Sequence, residues 1–230
     1  MNKIIKLLTI IIAPLTLCLL ILWQMFFSQS VNHYAVSTAV IILSLLPFFL
    51  SFEKKEHTTR EITLIATLIA LAVVSRAVFY LIPSIKPFAA VVIISAVCLG
   101  AEKGYIIGAF TAFISNFIFG QGFWTPYQML ALGLVGLLAG LLFKKIKANK
   151  YTMAAVGFVL IFVVYALIVD LSSVLMMSGE HITLSGTIAI YTAGIPFNLV
   201  FAVATAICLF FFGEPFVKKI DRINTKFALA

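Results

Sequence analysis

Long apolar runs separated by short polar segments are the dominant pattern along this chain. A transmembrane helix needs about 20 apolar residues, and fewer when it packs inside a bundle. Eight runs meet this requirement, at residues 5–26, 34–52, 61–82, 87–100, 104–119, 127–143, 152–177 and 188–213. The pattern predicts an all-α integral membrane protein, a polytopic bundle of about eight transmembrane helices.

Three of these runs, the first, the fourth and the fifth, are ambiguous in the apolar pattern alone. The fourth and fifth are divided only by the charged segment from Gly100 to Gly104, whose glycines and charges predict a turn between two short helices. Lys3 and Lys6 lie at the start of the first run, as basic residues do before the core of a signal peptide. The run is about 20 residues long, however, whereas a signal-peptide core has about 7–15. We expect it to be retained as a helix.

Basic residues mark every second connection between the runs. They lie before the first run and after the second, fourth, sixth and eighth runs. These positions hold all of the 16 Lys and Arg residues except Arg76 and Lys86. Basic connections stay in the cytoplasm. The pattern therefore predicts that both termini are cytoplasmic, with a basic loop at 53–60 and a basic tail at 214–230.

Composition narrows the class of protein further. Hydrophobic residues make up 63% of the 230 positions and charged residues 10%, whereas soluble domains are about half apolar and a quarter charged. The net charge of +8 lies in the basic connections, so it indicates contact with anionic lipid rather than nucleic acid. The cysteines lie inside apolar runs, the histidines are far apart, and no phosphate-loop, zinc-protease or serine-hydrolase motif is present. We expect no catalytic residue and no metal site.

Two ionisable residues lie within the apolar runs, where a charge is costly and indicates function. Arg76 lies about 15 residues into the third run, which places it roughly 22 Å above the cytoplasmic end. Asp170 lies about 18 residues into the seventh run, at a similar or slightly greater height. Opposite charges at matched height indicate either an ion pair that locks the bundle or two walls of one binding cavity.

The connection between the fifth and sixth runs contains an uncharged block, SNFIFGQGFWTPYQM at 115–129, that combines amides, aromatic rings, glycines and a proline. Such a mixture is typical of small-ligand sites. An interfacial aromatic belt would explain the rings but not the amides. We therefore expect a substrate site on the outer side. Its candidate residues are Arg76, Lys86, Asn116, Gln121, Trp124, Tyr127, Gln128, Asp170, Tyr191 and Asn198.

Small residues spaced four apart allow helices to approach closely in lipid. Three such faces are formed by Ala66 with Ala70, by Gly104 with Gly108, and by Gly136 with Gly140. Faces of this kind usually pack a protein's own bundle.

The segment from Arg76 to Met129, with Lys86-Pro87 and the block 115–129, resembles the substrate-binding S components of energy-coupling factor (ECF) transporters, which import vitamins into bacteria. The resemblance covers about residues 61–213 and implies a six-helix core, preceded here by an additional hairpin at 1–52. It also implies that Ala66 and Ala70 dock onto the T subunit. The block most resembles the S component assigned to vitamin B12 and cobinamide, although other vitamins or a queuosine precursor would suit its residues almost as well.

The resemblance further implies a mechanism and partners. An S component binds its solute tightly at the outer face of the bacterial cell membrane, then topples as a rigid body to release it inside. A membrane-embedded T subunit and two ATPase subunits drive this movement. The chain itself would bind no cofactor, since the partners use the ATP.

Two other functions stay open from the sequence. A proton-coupled carrier would use Arg76 and Asp170 and would work without ATPase subunits, but such carriers often contain internal repeats, and we find no convincing repeat here. An intramembrane enzyme would use Glu180, His181 or Asp170 as acid–base groups.

Overall fold

A computed structural model describes the chain at residues 58–82, 85–177 and 182–227, and at five helical positions between 35 and 45. Apart from those five positions, the predicted hairpin at 1–52 lies outside the described residues. So do most of the predicted basic loop at 53–60 and the residues Glu180 and His181. The described ranges are helical apart from short connections and contain no strand.

Six helices make up the described ranges, and they correspond to the third to eighth predicted runs. They are α1 (Thr59–Val78), α2 (Phe88–Leu99), α3 (Ala101–Phe119), α4 (Thr125–Leu142), α5 (Lys150–Met177) and α6 (Leu184–Phe227). Inside α5 the segment Leu160–Tyr165 is π-helical.

Four of the described helices, α1, α4, α5 and α6, are long and apolar enough to span a membrane. Helix α2 is shorter, and it is an interior helix. It packs against α1, α3, α4 and α6, and all its residues from Phe88 to Ala96 except Val91 are buried. An apolar helix of this length is typical of a bundle core. The predicted class, a helical membrane protein, is confirmed, while the count of eight spans stays a prediction.

Local capping explains where the helices begin and end. Thr58 precedes α1, and its hydroxyl accepts a hydrogen bond from the backbone N–H of Glu61 at 3.3 Å. Asn149 precedes α5 and forms a reciprocal capping box with Thr152. Gly100 alone separates α2 from α3, and its φ of +87° suits glycine. The predicted break between two short helices is therefore present, but the turn is one residue rather than five.

Helix α6 continues beyond the predicted end of the eighth run at residue 213. The prediction ended the run there because charged residues begin at Glu214. One face of the following segment is apolar enough to stay packed on the bundle. Ile220 is buried in the core, and the Cys98 thiol lies 4.0 Å from the carbonyl oxygen of Val217. The helix therefore reaches Phe227.

Helices α3 and α4 approach each other through their glycines. A Cβ atom added at Gly136 would overlap the backbone of Gly104, and one added at Gly108 would overlap the backbone of Leu132. A Cβ at Gly140 would lie 2.5 Å from the Cα of Ala101. The two glycine faces seen in the sequence thus pack the chain's own bundle.

Replacing Gly136 with alanine is expected to destabilise the bundle, because the new methyl group meets backbone that cannot rotate away. Overpacking of this kind costs about 1–3 kcal/mol, which corresponds to a Tm lower by roughly 2–12 °C for a chain of this size. Thermal unfolding in detergent measures the change. Gly186→Ala is the control, because the nearest atom to its new Cβ is the rotatable hydroxyl of Thr183. Equal Tm values for the two variants would contradict the glycine contact.

Candidate functional site

Arg76 lies near the end of α1, where α1, α2 and α3 meet. Its Nη1 donates hydrogen bonds to the hydroxyl of Ser115 and to Oδ1 of Asn116, the latter at 3.0 Å. The guanidinium also lies over two aromatic rings, 4.7 Å from the centroid of Phe119 and 5.5 Å from that of Phe88. Its Nη2 and Nε groups have no acceptor among the described residues. Arg76 therefore keeps donors for a ligand.

Asn116 organises the connection between α3 and α4. It is 1% exposed, and its Nδ2 donates to Oγ1 of Thr125 at 3.1 Å and to Oε1 of Gln128 at 2.8 Å. Thr125 in turn donates to Oε1 of Gln121 at 2.8 Å and accepts from the backbone N–H of Gly122 at 3.2 Å. Since every polar group of Asn116 is engaged by the protein, this residue positions the connection and Arg76.

The two glutamines of the block differ in what they can offer a ligand. Gln121 is exposed, but its Nε2 donates to the carbonyl oxygen of Phe113 at 3.0 Å and its Oε1 is taken by Thr125. Gln128 is half-buried and accepts from Asn116, and its Nε2 has no acceptor among the described residues. Gln128 is therefore the better ligand contact of the two.

The aromatic residues of the block also separate into different roles. The ring of Trp124 covers Gly122, where an added Cβ would lie 2.5–2.6 Å from the indole. Trp124 also packs edge-on against Phe123, with centroids 5.4 Å apart. Tyr127, by contrast, is 1% exposed and belongs to the core. Trp124 remains half-buried at the surface of the site, while Tyr127 supports α4 from inside.

Lys86 precedes α2 and adds a second cation near Arg76. Its side chain reaches the surface but is partly covered by the protein. Desolvation by the surrounding protein and then the like charge of Arg76 lower the pKa of Lys86 below that of a free lysine. This end of the bundle is therefore electropositive around α1 and α2.

Asp170 lies on the other side of the bundle end, between α5 and α6. Its Oδ2 accepts a hydrogen bond from Nδ2 of Asn198 at 2.7 Å. Gly194 lies so close that an added Cβ would be 2.7 Å from the same oxygen. Tyr191 donates to the carbonyl oxygen of Leu167 at 2.9 Å and ties the same two helices together. No ion pair between Arg76 and Asp170 occurs among the described contacts, so each charge has its own partners.

Aromatic side chains link the surroundings of Arg76 to those of Asp170. The ring of Phe88 stacks on Phe201 with centroids 5.5 Å apart, and Tyr165 packs edge-on against Phe201 at 5.2 Å. Tyr165 lies within electrostatic range of both Arg76 and Asp170. It ends the π-helical segment of α5, and it was not among the residues predicted from the sequence because such a segment leaves no signal in an apolar pattern. Phe88 and Phe201 are 2% and 5% exposed and belong to the core, so these rings pack the bundle between the surroundings of Arg76 and those of Asp170.

The two alanines expected at a partner interface lie elsewhere on α1. Ala66 and Ala70 are both exposed, unlike the glycine faces of α3 and α4. The threonines beside them satisfy their own hydroxyls, because Thr63 and Thr67 each donate to the carbonyl oxygen four residues earlier at 2.8 Å. At Ala66 and Ala70 this face of α1 therefore exposes small side chains, and the neighbouring threonine hydroxyls already have hydrogen-bond acceptors.

Comparison with known proteins identifies the family. The family model described as ECF-type riboflavin transporter, S component, matches residues 56–218, which include α1 to α5 and most of α6. No curated protein and no solved structure gives a significant match. The expectation that the chain is not an enzyme is confirmed, because this family consists of transporter subunits. The chain belongs to the membrane-embedded S components of ECF transporters, the subunits that bind substrate for an energising T and ATPase module.

Proposed function

We propose that the chain captures a flavin, with riboflavin as the first candidate, at the end of the bundle that carries Arg76. The description of the matching family model carries this proposal. The site lies on the outer side of a bacterial cell membrane, both termini are cytoplasmic, and the partner module drives release to the inside. The alternation of basic connections supports this orientation.

The side chains around the site suit the chemistry of a flavin. Riboflavin combines a flat three-ring system, carbonyl acceptors and a chain of hydroxyl groups. The half-buried ring of Trp124 offers aromatic surface for stacking. The remaining donors of Arg76 suit a ring carbonyl, and the carboxylate of Asp170 suits a hydroxyl group.

Cobalamin or cobinamide is the second candidate, on the resemblance of the block 115–129. A corrin carries many amide side chains, which would favour protein amides in contact with the ligand. The amides of Asn116 and Gln121 are instead engaged within the block. This arrangement favours the flavin over the corrin.

Calorimetry with the purified chain distinguishes the two candidates. We expect riboflavin to bind tightly to the chain alone, and cobalamin and cobinamide to bind far more weakly. The Trp124→Leu variant is measured in the same way. Loss of the indole beside the site should weaken flavin binding without removing a core side chain. Tight cobinamide binding with none of riboflavin would overturn the flavin assignment and leave the family assignment intact.

We also propose that Ala66 and Ala70 form the contact with the T subunit. Their exposure supports this role, since two other small-residue pairs of the chain are consumed by internal packing and this pair is not. A helix from a partner can approach the α1 backbone closely at this face.

A further inference from the structure

Six exposed cations from two distant segments of the sequence lie at the end of the bundle opposite Arg76. Three follow α4 and three lie near the end of α6. They are Lys144, Lys145, Lys147, Lys218, Lys219 and Arg222, and together they are called the basic collar.

The fold brings the two segments of the basic collar together. The backbone N–H of Lys150 donates to Oε1 of Glu214 at 2.8 Å, and the ammonium of Lys150 lies 5.2 Å from the ring centroid of Phe210. The connection between α4 and α5 is thereby fixed against α6. Glu214 is engaged in this contact, and Asp221 lies beside the Cys98 thiol. Both carboxylates keep their charge, but the six cations of the basic collar outnumber them, so the charge of this end is net positive.

The end of α6 is packed on the bundle, so its cations do not lie on a detached tail. Gly213, Ile220 and Asn224 are buried on one face of the helix. Lys218 and Arg222 lie on the other face and are exposed. This arrangement holds the cationic side chains close to the end of the apolar bundle.

Exposed apolar side chains accompany the cations of the basic collar. Phe211 is 64% exposed and Phe212 58%, and Phe216 lies one turn closer to the cations at 38%. Ile146 is 39% exposed among the lysines that follow α4. Apolar rings beside long cationic side chains match the boundary between acyl chains and headgroups.

We propose that the basic collar binds the anionic headgroups of phospholipids in the leaflet at this end. Clusters of four to eight Lys or Arg residues next to a membrane helix are typical of anionic-lipid contacts. The proposal is independent of which vitamin the chain carries.

Binding of fluorescently labelled phosphatidylglycerol to the purified full-length chain in detergent micelles tests the proposal, with labelled phosphatidylcholine as reference. We expect phosphatidylglycerol to bind on the order of tenfold more tightly than phosphatidylcholine. Its affinity should fall severalfold between about 0.1 M and 1 M salt, because exposed charges are screened. The triple variants K218Q/K219Q/R222Q and K144Q/K145Q/K147Q should each lose most of the preference. The charge-conserving variant K218R/K219R/R222K should keep it.

Several outcomes would overturn the proposal. One is equal binding of the two lipids by the wild-type chain, and another is an unchanged preference in both glutamine variants. Displacement of phosphatidylglycerol by inorganic phosphate would indicate a general phosphate site instead of a lipid surface. If the glutamine variants lost co-purification with the ATPase subunits while their lipid binding stayed unchanged, the basic collar would be assigned to a protein partner.

Discussion

Replacing Arg76 with glutamine is expected to weaken riboflavin binding on the order of 100-fold while the chain stays folded. A hydrogen bond from a charged donor contributes about 1.5–3 kcal/mol. Two such bonds from Nη2 and Nε of Arg76 therefore correspond to a factor of roughly 100 or more in Kd. Glutamine stays polar but is two bonds shorter than arginine, so the hydrogen bonds of Nη1 to Ser115 and Asn116 are lost as well, and a Tm measurement is needed beside the Kd.

Titration of riboflavin fluorescence against the Arg76→Gln chain measures this loss, and Tm is recorded on the same sample. Lys145→Gln removes one cation at the opposite, exposed end and should leave the riboflavin Kd unchanged. Ser115→Ala removes one partner of Arg76 but keeps the guanidinium, so a smaller loss is expected. A folded Arg76→Gln chain with the wild-type Kd would place the ligand elsewhere.

Leucine at Ala66 or Ala70 is expected to abolish assembly with the T subunit, and with it energised uptake, while riboflavin binding stays at the wild-type level. Both positions are exposed, so the larger side chain does not disturb the bundle. It would, however, hold a partner helix away from the α1 backbone, and close packing of helices in lipid depends on small residues at the contact.

Co-purification of the T and ATPase subunits with each variant measures this effect. Ala189→Leu is the matched control, because it makes the same change at an exposed position of α6. It should assemble and transport as the wild type does. Unchanged assembly of the Ala66→Leu and Ala70→Leu chains would assign the contact with the T subunit to another face.

The helices of the core could be predicted from the sequence because membrane helices are long and uniformly apolar. The positions of the helix ends were harder to predict, since each end depends on one or a few residues. Gly100 ends α2 by adopting a positive φ, which makes the predicted five-residue turn unnecessary. Packing of Ile220 on the core extends α6 through a charged segment that the pattern assigned to a tail.

The residues of the candidate site could be named from the sequence, and their role in binding stays a prediction, whereas their contacts could not be predicted. Arg76 and the block 115–129 meet, because α1 and α3 are neighbours in the bundle. Asp170 binds Asn198 instead of Arg76, and a height along a helix cannot reveal this, since it leaves the direction of the side chain open. Tyr165 was missed because a π-helical segment has no signature in an apolar run.

The family could be identified from the motifs, and the match over residues 56–218 confirms that the chain is an ECF S component. The sequence resemblance favoured vitamin B12, whereas the matching model is described for riboflavin. The vitamin depends on which polar atoms remain for a ligand. Contacts such as those of Asn116 decide which polar atoms remain, and the residue types alone do not specify those contacts.

Uptake of labelled riboflavin into vesicles tests the account most directly, with the chain reconstituted alone or with its T and ATPase subunits. We expect the chain alone to bind riboflavin without accumulating it, and the complete assembly to accumulate it only when ATP is supplied. A protonophore should not reduce that uptake. Accumulation by the chain alone, driven by a proton gradient and indifferent to ATP, would contradict the account and indicate a proton-coupled carrier.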